Sequence, residues 1–152
     1  MAHNKKEVYQ KCLIAVNDLI RKYEEKMNNI KESMEANDVH TDYDEEGSKG
    51  ELLGDFERYA SHLDNARKMK ETLSRVDREH YSEEIKFGSL IETSKHYYFI
   101  AAPLGNVGMD DGSTIFAIST EAPIFEKLQG KRKGDTFTLQ DKDEDLEILD
   151  VH

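Results

Sequence analysis

Apolar residues at Tyr9, Leu13, Val16, Ile20, Tyr23, Met27, Ile30 and Met34 recur at alternating spacings of four and three. This is the period with which an α-helix presents one stripe to a partner helix. Lys, Glu, Asn and Asp fill most of the positions between them, and no proline interrupts the run. At 1.5 Å per residue the seam is about 38 Å long. A second seam of matching length follows, through Leu52, Phe56, Tyr59, Leu63, Ala66, Met69, Leu73 and Val76, with one slip between Ala66 and Leu73. Two equal seams in one short chain bury each other best as an antiparallel helical hairpin, so pairing within a monomer is expected. Gly47, Gly50 and Gly54 cluster between the seams and predict an open turn. Cys12 flanks the first seam and is expected to be a buried, inert thiol.

The charge is concentrated where the hairpin should turn. Residues 35–57 hold nine acids against Lys49, a net −8, and residues 141–150 hold six acids against Lys142, a net −5. The whole chain carries −11, which leaves the remainder at +2. Such a balance excludes a general nucleic-acid coat, which needs cations to neutralise phosphates. At 37% hydrophobic residues, 152 residues are thin for one large core, and a two-part molecule is expected. One cysteine allows no internal disulfide, and no Cys/His set has zinc spacing. Without a signal-peptide pattern or a bilayer-length apolar run, the expected setting is cytoplasmic, away from membranes.

After Asp77-Arg78-Glu79 the period changes from helical to strand-like. Segments at 85–92, 97–102, 113–119, 136–139 and 146–151 are β-branched or aromatic and are divided by glycine-containing turns. Pro123 to Gln129 predicts a short helix opened by proline and closed by Gly130. Gln140 to Asp145 reads as the exposed turn between the last two strands. The expected class is α+β: a coiled-coil hairpin over 1–80 with an acidic tip around 35–51, then a small antiparallel sheet domain with one short helix over 81–152.

The segment Ile118-Ser119-Thr120-Glu121-Ala122-Pro123-Ile124, with Leu128, Gly130-Lys131 and Gly134-Asp135 after it, resembles the C-terminal pattern of the Gre family of bacterial transcript-cleavage factors. The order of hairpin, acidic tip and sheet domain is similar to that family throughout. The resemblance implies an FKBP-like fold for the sheet domain, without prolyl isomerase activity. It also implies an accessory elongation factor, not itself an enzyme, that enters the secondary channel of RNA polymerase. Contacts with polymerase would fall on Ser119, Pro123, Ile124, Lys131 and Arg132. Cleaving members carry an Asp-x-x-Glu pair at the tip, and Asp42-Tyr43-Asp44-Glu45 stands in the corresponding place. By resemblance Asp42 and Glu45, with Asp44 as a further ligand, would help hold a second Mg²⁺ shared with the polymerase, beside the nascent RNA 3′ end. Hard oxygen ligands suit Mg²⁺, and paired metals stabilise the attacking and leaving oxygens of phosphodiester hydrolysis.

Other readings stay open. Glu46-Gly47-Ser48-Lys49 stand where the family has Asn-Ala-Glu-Tyr, which leaves room for a channel regulator that does not cleave. Asp38, Asp44 and Glu46 could each replace a member of the acidic pair. Asp42 to Gly47 resembles the first half of a calcium-binding EF-hand loop, although its twelfth position is Leu53. A coiled-coil adaptor needs no chemistry at the tip. His40 sits beside the tip acids, and Arg58, Arg67, Lys68 and Lys70 are either an RNA-facing stripe or solubilising charge.

Overall fold

The computed structural model describes residues 3–37, 45–139 and 145–152. Its elements in chain order are α1 (Lys5–Asn37), α2 (Glu45–Ser74), β1 (Leu90–Thr93), β2 (Tyr97–Ile100), β3 (Gly105–Gly108), β4 (Thr114–Ile118), α3 (Pro123–Leu128), β5 (Thr136–Thr138) and β6 (Asp145–Val151). Two long helices thus precede a sheet carrying one short helix, as the periodicities predict. The chain forms two compact units, one of residues 16–68 and one of residues 1–15 with 69–152.

In the 16–68 unit the two helices run antiparallel. Tyr23 stacks on His62 at 5.1 Å, Lys26 sits 5.1 Å from the Tyr59 ring centroid, and Arg67 donates to Glu24 at 3.3 Å. Leu63, Ala66 and Val16 are buried, and the other seam positions are half-buried, as a two-helix contact with solvent on both sides requires. The expected open turn is corrected in part. Gly47, Gly50 and Gly54 all lie within α2, which is already helical at Glu45. Helical backbone over 45–53 also removes the calcium reading, because an EF-hand loop needs its sharp turn at the sixth position, Gly47. Among the candidate basic stripe, Arg58 pairs with Asp55, Arg67 with Glu24 and Lys68 with Asp64, which favours the solubilising role.

In the other unit the strand order is β3-β4-β2-β1-β6-β5. The sheet is mostly antiparallel, as expected, and one pair, β2 with β4, is parallel from Tyr97↔Ile115 to Ile100↔Ile118. The intervening β3 was not expected. Gly-Asn-Val-Gly has little strand propensity, and it is extended because it pairs antiparallel with Thr114 to Ala117. The strand expected over 85–92 begins only at Leu90. Ile85 instead bonds Gly130 and Lys131 through its backbone, and residues 86–89 form a turn with Gly88 at φ +89°.

Side-chain alternation divides the sheet into two buried faces. Ile91, Tyr98, Ile100, Leu146 and Ile148 join Phe125 and Leu128 of α3 in one core. Leu90, Phe99, Ile115 and Ala117 point the other way and are equally buried. That face receives the start of α1 and the end of α2. His3 meets Tyr97 edge-on at 4.9 Å, Lys11 binds Asp110 at 2.6 Å, and Val76 lies next to Gly88. The local burial of α1 accordingly departs from a simple heptad, with Val8 and Cys12 buried and Leu13 only half-buried. Cys12 is enclosed as expected, and burial pushes its thiol up to about 12.

Candidate functional site

The segment from Ser119 to Asp135 folds as turn, helix and turn on one face of the sheet. Ser119 opens it: its Oγ accepts the Glu121 N–H at 3.2 Å and its carbonyl accepts the Ala122 N–H at 3.1 Å. Ala122 is extended, and Pro123 takes the first helical position, where the missing N–H costs no hydrogen bond. Phe125 and Leu128, three apart, bury the inner side of the helix, leaving Ile124 half-buried and Pro123 exposed. Gly130 ends the helix at φ +77°, a left-handed conformation that side chains disfavour. Its N–H donates to the Ile85 carbonyl at 2.9 Å, while the Ile85 N–H returns a bond to Lys131 at 2.9 Å.

The Gly-Asp part closes the second turn. The Asp135 carboxylate accepts the Arg132 N–H at 2.8 Å, and Gly134 and Asp135 exchange bonds with Ile148 at 2.8 and 2.9 Å. The motif is therefore tied to the sheet at Ile85 and Ile148 by backbone bonds, which makes it a rigid platform. Pro123, Ile124, Lys127 and Leu139 line a shallow apolar hollow of about 200 Å³ on it. Lys127 donates to the Thr138 carbonyl at 2.6 Å, leaving the aliphatic stem to form one wall.

Of the residues expected to contact a partner, Ser119, Pro123 and Ile124 lie along the start of this turn and helix, and Lys131 and Arg132 lie on the turn after it. Arg132 is engaged within the chain. It pairs with Glu84 and, at 3.7 Å, with Glu83, and the hydrogen bond to Glu84 holds its guanidinium above the usual value. Sequence reasoning missed Lys127 and Leu139. Lys127 stands one turn beyond Pro123, a signal that was available, whereas Leu139 follows β5 and reaches the hollow because β5 lies beside α3.

Asp38, His40, Asp42 and Asp44 lie outside the described residues, and Glu45 is the first residue of α2. Among the described residues no three His, Cys, Asp or Glu side chains converge as a metal site. No helix there is long and apolar enough to cross a membrane.

No protein-family model matches the chain, and no curated protein matches it. Among solved structures, Thermus aquaticus Gfh1 is similar at 19% identity over 90% of this chain and 91% of that one, with a TM-score of 0.36. A structure described as the transcription factor Gfh1 is similar at 21% identity over 97% and 94%, also at 0.36. The GreA factor homolog 1 of Thermus thermophilus aligns at 21% identity over 95% and 94%, with a TM-score of 0.34. At such scores, the function of this chain is inferred from its own residues.

Proposed function

We propose that the chain is a Gre-like elongation factor that binds RNA polymerase, with its helices directed into the secondary channel and its sheet unit docked outside. One observation carries this: the Ser119-to-Asp135 segment, the most specific resemblance in the sequence, is folded as a backbone-anchored, exposed platform in a chain that also has two long antiparallel helices. A partner surface needs that combination of exposed apolar residues and fixed backbone. By the same resemblance the sheet unit would be FKBP-like, and Pro123, Ile124 and the Lys131-Arg132 turn would touch the polymerase.

Asp42 and Glu45, with Asp44, would act at the polymerase active centre. Carboxylate oxygens are the donor type Mg²⁺ takes, and the ion ordinarily keeps one or two carboxylates plus water and substrate oxygens. Mg²⁺ would supply Lewis-acid stabilisation for hydrolysis of the RNA backbone, with the acids of this chain only helping to retain it. The protein would be an accessory to the polymerase's own nuclease activity. The non-cleaving alternative is favoured by Glu46-Gly47-Ser48-Lys49, whose charge and size differ from the family's tip.

The test is RNA shortening in a stalled, backtracked elongation complex with Mg²⁺, with polymerase binding measured alongside. Shortened transcripts that disappear in the Asp42→Ala/Glu45→Ala double variant, with binding retained, are expected. Binding without shortening would select the non-cleaving regulator, and absence of binding would defeat both.

A further inference from the structure

The sheet-containing unit holds a second cleft that the proposed function does not use. It is a cavity of about 180 Å³ lined by Lys5, Arg75, Asp77, His80, Ser82 and the Lys86-to-Ser89 turn. In a chain of net charge −11 it gathers three basic side chains and a histidine against one acid. We propose that this cleft binds a small phosphate-type anion.

Lys5 is its deepest cation. The residue is 3% exposed, and its ammonium donates to the His80 carbonyl at 2.7 Å. An ammonium carries three donors, and the one carbonyl, with the Tyr81 ring centroid 5.3 Å away, replaces only part of the water that burial removes. Burial, the largest influence on it, lowers the Lys5 pKa, partly countered by Asp77 and reinforced by the like charge of Lys86. An anion between Lys5 and Lys86 would relieve that repulsion.

The one acid in the lining offsets only part of this charge, and one of its oxygens is also engaged by the backbone. Asp77 Oδ1 accepts the N–H groups of Glu79 and His80 at 3.0 and 3.3 Å, fixing the bend that follows α2. Arg75 bonds Glu71 at 2.8 Å on the exposed side, and a guanidinium has five donors, so that bond leaves others for a ligand. Ser89 is buried, and its Oγ accepts the Lys86 N–H at 3.0 Å, which fixes the turn that carries Lys86. Size restricts the ligand: about 180 Å³ is well below the ~300 Å³ of pockets that take drug-sized molecules, and it suits a single phosphate group.

The experiment is titration of the full chain with inorganic phosphate at constant ionic strength, followed by backbone amide NMR shifts and by thermal unfolding. Saturable shifts at Phe87, Gly88 and Ser89, with a rise in melting temperature that chloride does not reproduce, are expected. Arg75→Gln and Lys86→Gln, both exposed positions, should together weaken binding about tenfold or more, the equivalent of one charge-assisted hydrogen bond, with the circular dichroism spectrum unchanged. Shifts that never saturate, or an affinity untouched in a folded double variant, would overturn the proposal. Should the variant not fold, the saturation of the native chain decides alone.

Discussion

Replacing Gly50 and Gly54 with alanine should stabilise α2, although these glycines look from the sequence like turn residues. Both lie inside the helix and are exposed, neither has a positive φ, and a Cβ built on either meets nothing within 4 Å. With no clash to offset it, the gain is the intrinsic difference between glycine and alanine in a helix, about 1 kcal/mol at each position. The two methyls sit one turn apart and are small, so the double variant should gain about 2 kcal/mol. The assay is native-state hydrogen exchange of the α2 amides that follow. Protection should rise about 5-fold for one substitution and about 30-fold for both, the population change that corresponds to these energies. Gly130→Ala is the control of opposite sign, because φ is +77° there and a side chain costs about 1–2 kcal/mol in that conformation. Unchanged or lower protection in the Gly50/Gly54 variant, with Gly130→Ala destabilised as expected, would mean that α2 does not begin as early as Glu45.

Three further outcomes follow from particular contacts. Ile124→Ala, at the half-buried position in the platform hollow, should weaken the proposed polymerase binding while leaving the circular dichroism spectrum intact; full affinity would remove the hollow from the proposed docking surface. Asp111 is held below the usual carboxylate range, first by the Ser113 hydroxyl and then by the Ser113 N–H, with His3 contributing. A lowered folded pKa gives stability that is present above the ordinary carboxylate range and is lost as pH falls through the folded value. Asp111→Ala should therefore lower the denaturation midpoint near neutrality, and the difference should shrink in acid; a gap independent of pH would refute the ionic origin. Cys12, fully buried with its thiol pushed up to about 12, should react with a thiol reagent only at the rate of unfolding, and rapid labelling of the native chain would show that its enclosure opens locally.

Much of the fold could be read along the chain because its signals are local. Helical stripes repeat every three or four residues, and α3 is bracketed by Pro123 and Gly130, each acting through its own backbone. The platform motif was equally legible, since the Ser119, Pro123, Gly130 and Asp135 positions serve turns within the segment. Lys127, one turn beyond Pro123, was within reach of the same reading, whereas Leu139 was not, because the hollow it lines exists only once β5 lies beside α3.

The sequence by itself determined two amphipathic helices, the change to strand period after them, the sheet's short helix and the two concentrations of acid. Tertiary structure alone decided that β2 and β4 run parallel, that Gly105 to Gly108 becomes an edge strand, and that three glycines continue a helix. It also decided that Lys5, Arg75 and Lys86, distant in sequence, share one cleft. Hydrophobic period and turn chemistry act between near neighbours and leave a mark in the residues themselves. Strand order and convergent charge arise from contacts between segments, where backbone hydrogen bonding and shared burial outweigh the preferences of any one residue.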